Sequence, residues 1–114
     1  MRVLADIALS ARDRAAIERA ADVLRERFPV EQIILFGSKA RGEDEAESDI
    51  DLLVLTRRPL SWPERCQVVE SLFPIQLEFD VVFSTLEVAV QEWFEGLYQV
   101  LPLRQEVDRD GVAA

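Results

Sequence analysis

The sequence predicts an α+β domain in the order α-β-α-β-α-β-α, and three observations carry that reading. Apolar residues recur at helical spacing before Pro29 and again before Pro74. Two short apolar runs rich in β-branched residues, "EQIILFG" and "DIDLLVLT", follow the first helical pattern. The segment between them, Ser38 to Ser48, is too short for an ordinary parallel crossover, so the two strands are expected to be antiparallel.

The elements follow in chain order. Ser10 and Asp13 supply an N-terminal cap, and Ile17, Ala20, Ala21, Leu24 and Phe28 line one face, giving a helix over about Ala11 to Phe28. "EQIILFG" reads as a buried strand ended by Gly37, and "SKARG" as a helical turn. Ile50 to Thr56 is the second strand. Ser61 with Glu64 forms a second capping box, Pro63 is tolerated in a first turn, and Cys66, Val69, Leu72 and Phe73 continue a helix as far as Pro74. "IQLEFDVVF" is expected to be the third strand, with Leu77, Phe79 and Val81 on one face and Glu78 and Asp80 on the other. Ser84 and Glu87 are expected to open a further helix carrying Val88, Trp93 and Leu97. A short last helix starts near Pro102, places Leu103 and Val107 four apart, and ends at Gly111.

Composition restricts function. The 114 residues suit one domain, 1–114, with a modest core. No apolar run approaches the roughly 18 residues of a membrane span, and Asp6 interrupts the N-terminal run too early for a secretory leader, so a soluble cytoplasmic protein is expected. Cys66 is the single cysteine and histidine is absent, so a bound metal must be held by oxygen: magnesium, manganese or calcium. Thirteen basic against 22 acidic residues give a charge of −9, which argues against a broad basic face that grips nucleic acid. That charge suits solubility or the docking of a basic protein.

Asp49 and Asp51 stand two apart at the start of a strand. Their side chains therefore project to one side, with Cα atoms about 6.5 Å apart. Two like charges at the margin of a core cost several kcal/mol unless a cation neutralises them. The bland alternative is a solvated acidic turn, "EDEAESD", whose charges alternate by chance. Against it stand Gly37 and Ser38, directly after a strand, where glycine lets a ligand approach the backbone and the amides and hydroxyl can hold phosphate. Asp80, flanked by Phe79 and Val81, offers a third carboxylate.

"GS", ten residues, "DID" and a later carboxylate in "EFDVV" together resemble the signature of the nucleotidyltransferase superfamily that includes DNA polymerase beta. Within it the chain resembles the minimal nucleotidyltransferases, the MNT antitoxin partners of HEPN-domain toxins, from about Val30 to Phe83 and again in the tail "LYQVLPLRQEVDRDGV". The resemblance implies a small mixed sheet with helices packed on it. It implies Gly37 and Ser38 at the β- and γ-phosphates of ATP, Asp49 and Asp51 as ligands of two Mg2+ ions, and Asp80 on the ion nearer the attacking hydroxyl. Glu78 is the alternative to Asp80. Lys39 and Arg41 are the nearest cations, placed to meet the triphosphate or a partner, or else part of a solvated turn. Trp62, Trp93 and Phe94 are read as core or partner contacts rather than base-stacking groups, and Cys66 as a core residue.

The function implied is an ATP- and Mg2+-dependent protein adenylyltransferase acting as an antitoxin, which places AMP on a tyrosine of a HEPN ribonuclease toxin within a hetero-oligomer. Neither direct nucleic-acid binding nor a membrane is expected. Two other readings stay open: a non-catalytic antitoxin that neutralises its partner by stoichiometric binding, and a transferase acting on a small hydroxyl compound.

Overall fold

The computed structural model describes residues 1–43 and 48–114; positions 44–47 of the acidic loop, part of the solvated-turn reading, lie outside the described residues. Five strands form one mixed sheet: β1 (Arg2–Val3), β2 (Val30–Phe36), β3 (Ile50–Thr56), β4 (Phe83–Ala89) and β5 (Val112–Ala113). Their order is β1-β5-β2-β3-β4. β2 and β3 pair antiparallel, as the short connection requires, with Ile33 opposite Val54 and Phe36 opposite Asp51. β3 and β4 are parallel, joined through the long helix α3 (Trp62–Phe79).

Side chains alternate across the strands and so divide the core between two faces. Ile33, Leu35, Ile50, Leu52 and Val54 pack with Ile17, Ala20 and Leu24 of α1 (Ala11–Arg27) and with Val68, Leu72 and Ile75 of α3. On the other face Ile34, Leu53 and Leu55 meet Trp93 of α4 (Val90–Glu95) and Val107 of α5 (Pro102–Asp110). Trp93 is a core residue, stacked at 5.6 Å from Tyr98 and capped by the Arg104 guanidinium at 5.4 Å. No helix of the described residues is long and apolar enough to cross a membrane.

The structure corrects the sequence reading in the second half of the chain. The expected strand "IQLEFDVVF" is helical up to Phe79, because α3 runs through Pro74. An interior proline costs about 3 kcal/mol. Continuing the helix brings Ile75 and Phe79 onto the stripe begun by Val68 and Leu72, and burying a side chain of that size is worth about 1.5 to 3 kcal/mol. Two such residues offset the proline. Asp80 then ends the helix in the left-handed region, φ 54°, ψ 53°, with the Asp80 and Val81 amides both donating to the Gln76 carbonyl.

The second correction follows from the first. The Ser84 and Glu87 pair does not open a helix; both lie in β4, whose seven residues pair in register with β3 from Ile50 opposite Phe83 to Thr56 opposite Ala89. That ladder satisfies backbone groups along the outer edge of β3, which a helix there would leave open. Cys66 is likewise half-buried on the outer side of α3 rather than in the core. The short strands β1 and β5, two residues each, carried no periodic signal and were not expected.

Two charged contacts fix how elements begin. Ser61 Oγ accepts from the Glu64 amide at 3.3 Å, Glu64 Oε1 accepts from the Ser61 amide at 2.9 Å, and Arg58 donates to both Glu64 oxygens at 2.9 and 2.8 Å. The Arg58 hydrogen bonds, followed by the capping bond from Ser61, hold the Glu64 carboxyl at about 2, below its ordinary 4.5. Between those values the unfolded chain binds the proton that the folded chain refuses. The contribution to stability is thus complete above about pH 4.5 and is lost as pH falls through about 2. Glu64→Gln is expected to lower the urea midpoint at pH 7, with the difference from wild type shrinking steadily as pH falls below 4.5. A difference that does not change with pH would remove Glu64 from this role.

The second contact is internal. Lys39, 1% exposed, donates through Nζ to Asp13 Oδ2 at 2.8 Å, and joins the short helix α2 (Ser38–Arg41) to the first turn of α1. Asp13 Oδ1 has no hydrogen-bond partner among the described residues, and Arg12 Nε lies 3.6 Å away. Lys39→Met, which strips the ammonium from a buried carboxylate, is expected to cost about 3 to 5 kcal/mol in denaturant unfolding. A loss below about 1 kcal/mol would show that the pair carries little.

Candidate active site

The candidate site lies where β2 ends and β3 begins. The antiparallel register sets Phe36 opposite Asp51, so the turn that follows Phe36 closes over the Asp51 side chain. Gly37 makes that closure with φ 77° and ψ −160°, a region essentially reserved for glycine. A methyl group added to Gly37 would lie 2.2 Å from Asp51 Oδ2, which is inside van der Waals contact. The sequence cue of a glycine permitting close approach therefore has a definite neighbour: the carboxylate itself.

Asp51 is half-buried and Asp49 is exposed. Burial, then the neighbouring Asp49 charge and then Glu106, raise the proton affinity of Asp51, and Arg41 acts in the opposite direction. Glu106 belongs to α5 and was not anticipated. Its carboxylate accepts from Arg41 Nη1 at 3.1 Å, while Arg41 Nε donates to Glu43 at 3.2 Å. Arg2 adds a further tie, donating from Nη2 to the carbonyls of Ala40 at 3.1 Å and Asp110 at 2.7 Å. The turn carrying Gly37 and Ser38 is thus held on one side by α1 and on the other by α5.

The structure brings together Gly37, Asp51, Asp49 and, at the rim, Arg41. Ser38 opens α2 and is half-buried. Lys39 points elsewhere, into the ion pair with Asp13, where its work is to position α2. Asp80 is not on the strand beside Asp51; the β4 residue opposite Asp51 is Ser84, and Asp80 lies exposed at the end of α3. Glu78 lies on α3 as well, 3.4 Å from Arg19. Among the described residues, no three of the acidic, histidine or cysteine side chains form a set able to hold a metal ion.

A divalent cation fits what is present. The donors are carboxylate oxygens; burial first, and the Asp49 charge second, raise the proton affinity of Asp51, and a bound cation would offset both. Magnesium takes one or two carboxylates and completes its octahedron with water and substrate phosphate, so a third protein ligand is not required.

The polymerase beta nucleotidyltransferase family model matches residues 18–95, from the middle of α1 to the end of α4. One relative, from Methanocaldococcus jannaschii and bearing the name putative protein adenylyltransferase, is 32% identical over 57 residues, 50% of this chain. The match spans only 58% of that relative's own length. A chain of a toxin-antitoxin crystal structure with AMP-PNP shares the fold at a TM-score of 0.60 and 21% identity, over 84% of this chain and 69% of the other. So does a chain in the structure of a tri-AMPylated Shewanella oneidensis HEPN toxin in complex with its MNT antitoxin, at a TM-score of 0.56 and 20% identity, over 88% of this chain and 69% of the other. The mixed sheet, the glycine turn closed on Asp51 and a family match across more than half of the sequence lead to one conclusion: the chain belongs to the polymerase beta nucleotidyltransferase family.

Proposed function

We propose that this protein is a cytoplasmic, Mg2+-dependent adenylyltransferase that moves AMP from ATP onto a tyrosine hydroxyl of a HEPN-domain toxin and so acts as its antitoxin. The observation that carries the reading is the contact of Gly37 with the Asp51 carboxylate, beside Asp49, because it sets the backbone of the glycine turn directly against the metal-type donors. The family supports nucleotidyl transfer, and the fold neighbour with AMP-PNP and the neighbour in the complex with an AMPylated HEPN toxin support the nucleotide and the partner.

In this reading the acceptor oxygen bonds to the α-phosphorus of ATP as the bond to the bridging oxygen breaks, pyrophosphate leaves, and the hydroxyl proton passes to water. Asp49 and Asp51 would hold the metal, which when bound supplies charge neutralisation on the phosphates and a more acidic nucleophile. The Gly37–Ser38 turn would seat the terminal phosphates, and its anchoring by Lys39 and Arg41 keeps the turn in place without spending either cation on the nucleotide. Asp80 would act only if the end of α3 rearranged around bound substrate. The exposed position of Asp80 favours a second reading, stoichiometric neutralisation without chemistry.

Asp49→Asn is expected to reduce AMP transfer at least about 100-fold by intact-mass analysis of the partner, since one transition-state charge contact is typically worth that much. Its thermal midpoint should be unchanged or higher, because a like charge beside Asp51 has gone. Gly37→Ala should also abolish transfer although every carboxylate remains, through both its backbone conformation and its clash with Asp51. Full neutralisation of the toxin by an Asp49→Asn variant that transfers nothing would replace the enzymatic reading with the stoichiometric one.

A further inference from the structure

The face of the sheet that carries the Asp51 side chain is the one covered by α5. Asp51 shares that face with Leu53 and Leu55 of β3, which pack with Leu103 and Val107 of α5 and with Phe36, the residue opposite Asp51. Glu106 precedes Val107 and follows Leu103 by three, so the packing of its neighbours brings its carboxylate to the margin of the site. There it meets Arg41, whose Nη1 donates to Glu106 Oε1 at 3.1 Å; the two side chains are 31% and 33% exposed.

Arg41 is also within reach of Asp51. Its amide donates to the Gly37 carbonyl at 3.2 Å, and Gly37 is the residue whose added methyl would lie 2.2 Å from Asp51 Oδ2. The two residues are thus one helical turn apart, about 5.4 Å, which is less than an arginine side chain spans. Burial and then Asp49 raise the proton affinity of Asp51; Glu106 adds to them, and Arg41 opposes all three from where it stands. A guanidinium and a divalent ion seek the same oxygens, and a carboxylate gripped by both prongs of an arginine has fewer lone pairs to give a metal.

We infer that Glu106 is a positioning residue for the cation: by holding Arg41 on the α5 side of the turn, it keeps the guanidinium off Asp49 and Asp51 and leaves both carboxylates open to a divalent ion. Placement favours Glu106 over the other partner of Arg41. Glu43 is 69% exposed and stands two residues from Arg41 in the chain, so it gives no hold from outside the turn. Glu106 is fixed by α5, whose Val107 is buried and whose Asp110 carbonyl is tied through Arg2 to the Ala40 carbonyl of α2. The inference rests on Asp49 and Asp51 as the metal-holding pair of the reading above; it does not depend on which hydroxyl receives the nucleotide.

The test is a double-mutant cycle of Glu106→Gln and Arg41→Gln in the full chain. The probe is Mn2+ alone, in the absence of nucleotide and partner protein, with free Mn2+ followed by electron paramagnetic resonance. Both side chains are partly exposed and glutamine fits either place, so each variant should keep the wild-type circular dichroism spectrum. Glu106→Gln is expected to weaken Mn2+ binding at least about threefold, because the released guanidinium competes for Asp51. Arg41→Gln should bind at least as tightly as wild type. In that background the Glu106→Gln change should alter the affinity less than about twofold, since no guanidinium is left to restrain. A carboxylate acting by its charge alone gives the same loss in both backgrounds, and that result overturns the inference. Wild-type affinity in Glu106→Gln, or weaker binding in Arg41→Gln, overturns it as well. A wild-type affinity that Asp51→Asn does not change removes the metal site and the inference with it. If Mn2+ binding follows the expected pattern while no AMP reaches a HEPN-domain protein, the role of Glu106 stands and the adenylyltransferase reading fails.

Discussion

The arrangement of the site depends on one constraint: β2 and β3 must pair so that Phe36 meets Asp51, and the turn after Phe36 must then pass over a carboxylate with no room for a side chain. Register in a buried sheet is not adjustable, because a slip of one residue would turn Ile33, Leu35, Leu52 and Val54 from one core to the other. The hydrophobic core therefore sets the distance between the glycine turn and the aspartate. Glycine at position 37 is the local condition that lets the core's register be realised, since any Cβ there would collide with Asp51.

Charge around the site divides into work on structure and work available for chemistry. The basic residues of α2 are engaged with carboxylates of other elements, Lys39 with Asp13 and Arg41 with Glu43 and Glu106. The Lys39–Asp13 pair is buried, where desolvation consumes much of its attraction, and the Arg41 pairs are exposed, where solvent screens theirs, so both position α2 more than they stabilise the fold. Asp51 is left among negative neighbours, with Arg41 the opposing charge. The result is a rigid turn beside a carboxylate pair whose natural complement is a cation.

Most of the first half of the fold was legible in the sequence, because its helix, its two strands and their antiparallel pairing follow from periodicity, capping and a short connection. The places of Gly37, Asp49 and Asp51 in the fold were legible for the same reason: Gly37 directly follows β2, Asp49 directly precedes β3 and Asp51 lies in it. The second half misled at Pro74. Proline normally ends a helix, and "IQLEFDVVF" alternates well enough to pass for a strand, yet Val68, Leu72, Ile75 and Phe79 also keep helical spacing, and burial against α1 decided between the two periods. That error carried Asp80 onto a strand and turned β4 into a helix. Glu106 and the Lys39–Asp13 pair had no local signature, since each is a contact between elements distant in sequence.

The proline that hid the helix also decides what the two faces of α3 present. Ending α3 at Pro74 would remove Leu77 and Phe79 together, one from the exposed face and one from the core, because the two faces share the same last turn. Extending through Pro74 keeps the inner face packed and carries the helix to the end of the sheet where β3 begins, on the face away from the Asp51 carboxylate. The tolerated proline thus has consequences on both sides of the helix: inward, it lets one more turn seal the core, and outward, it leaves Leu77 exposed one turn beyond Phe73.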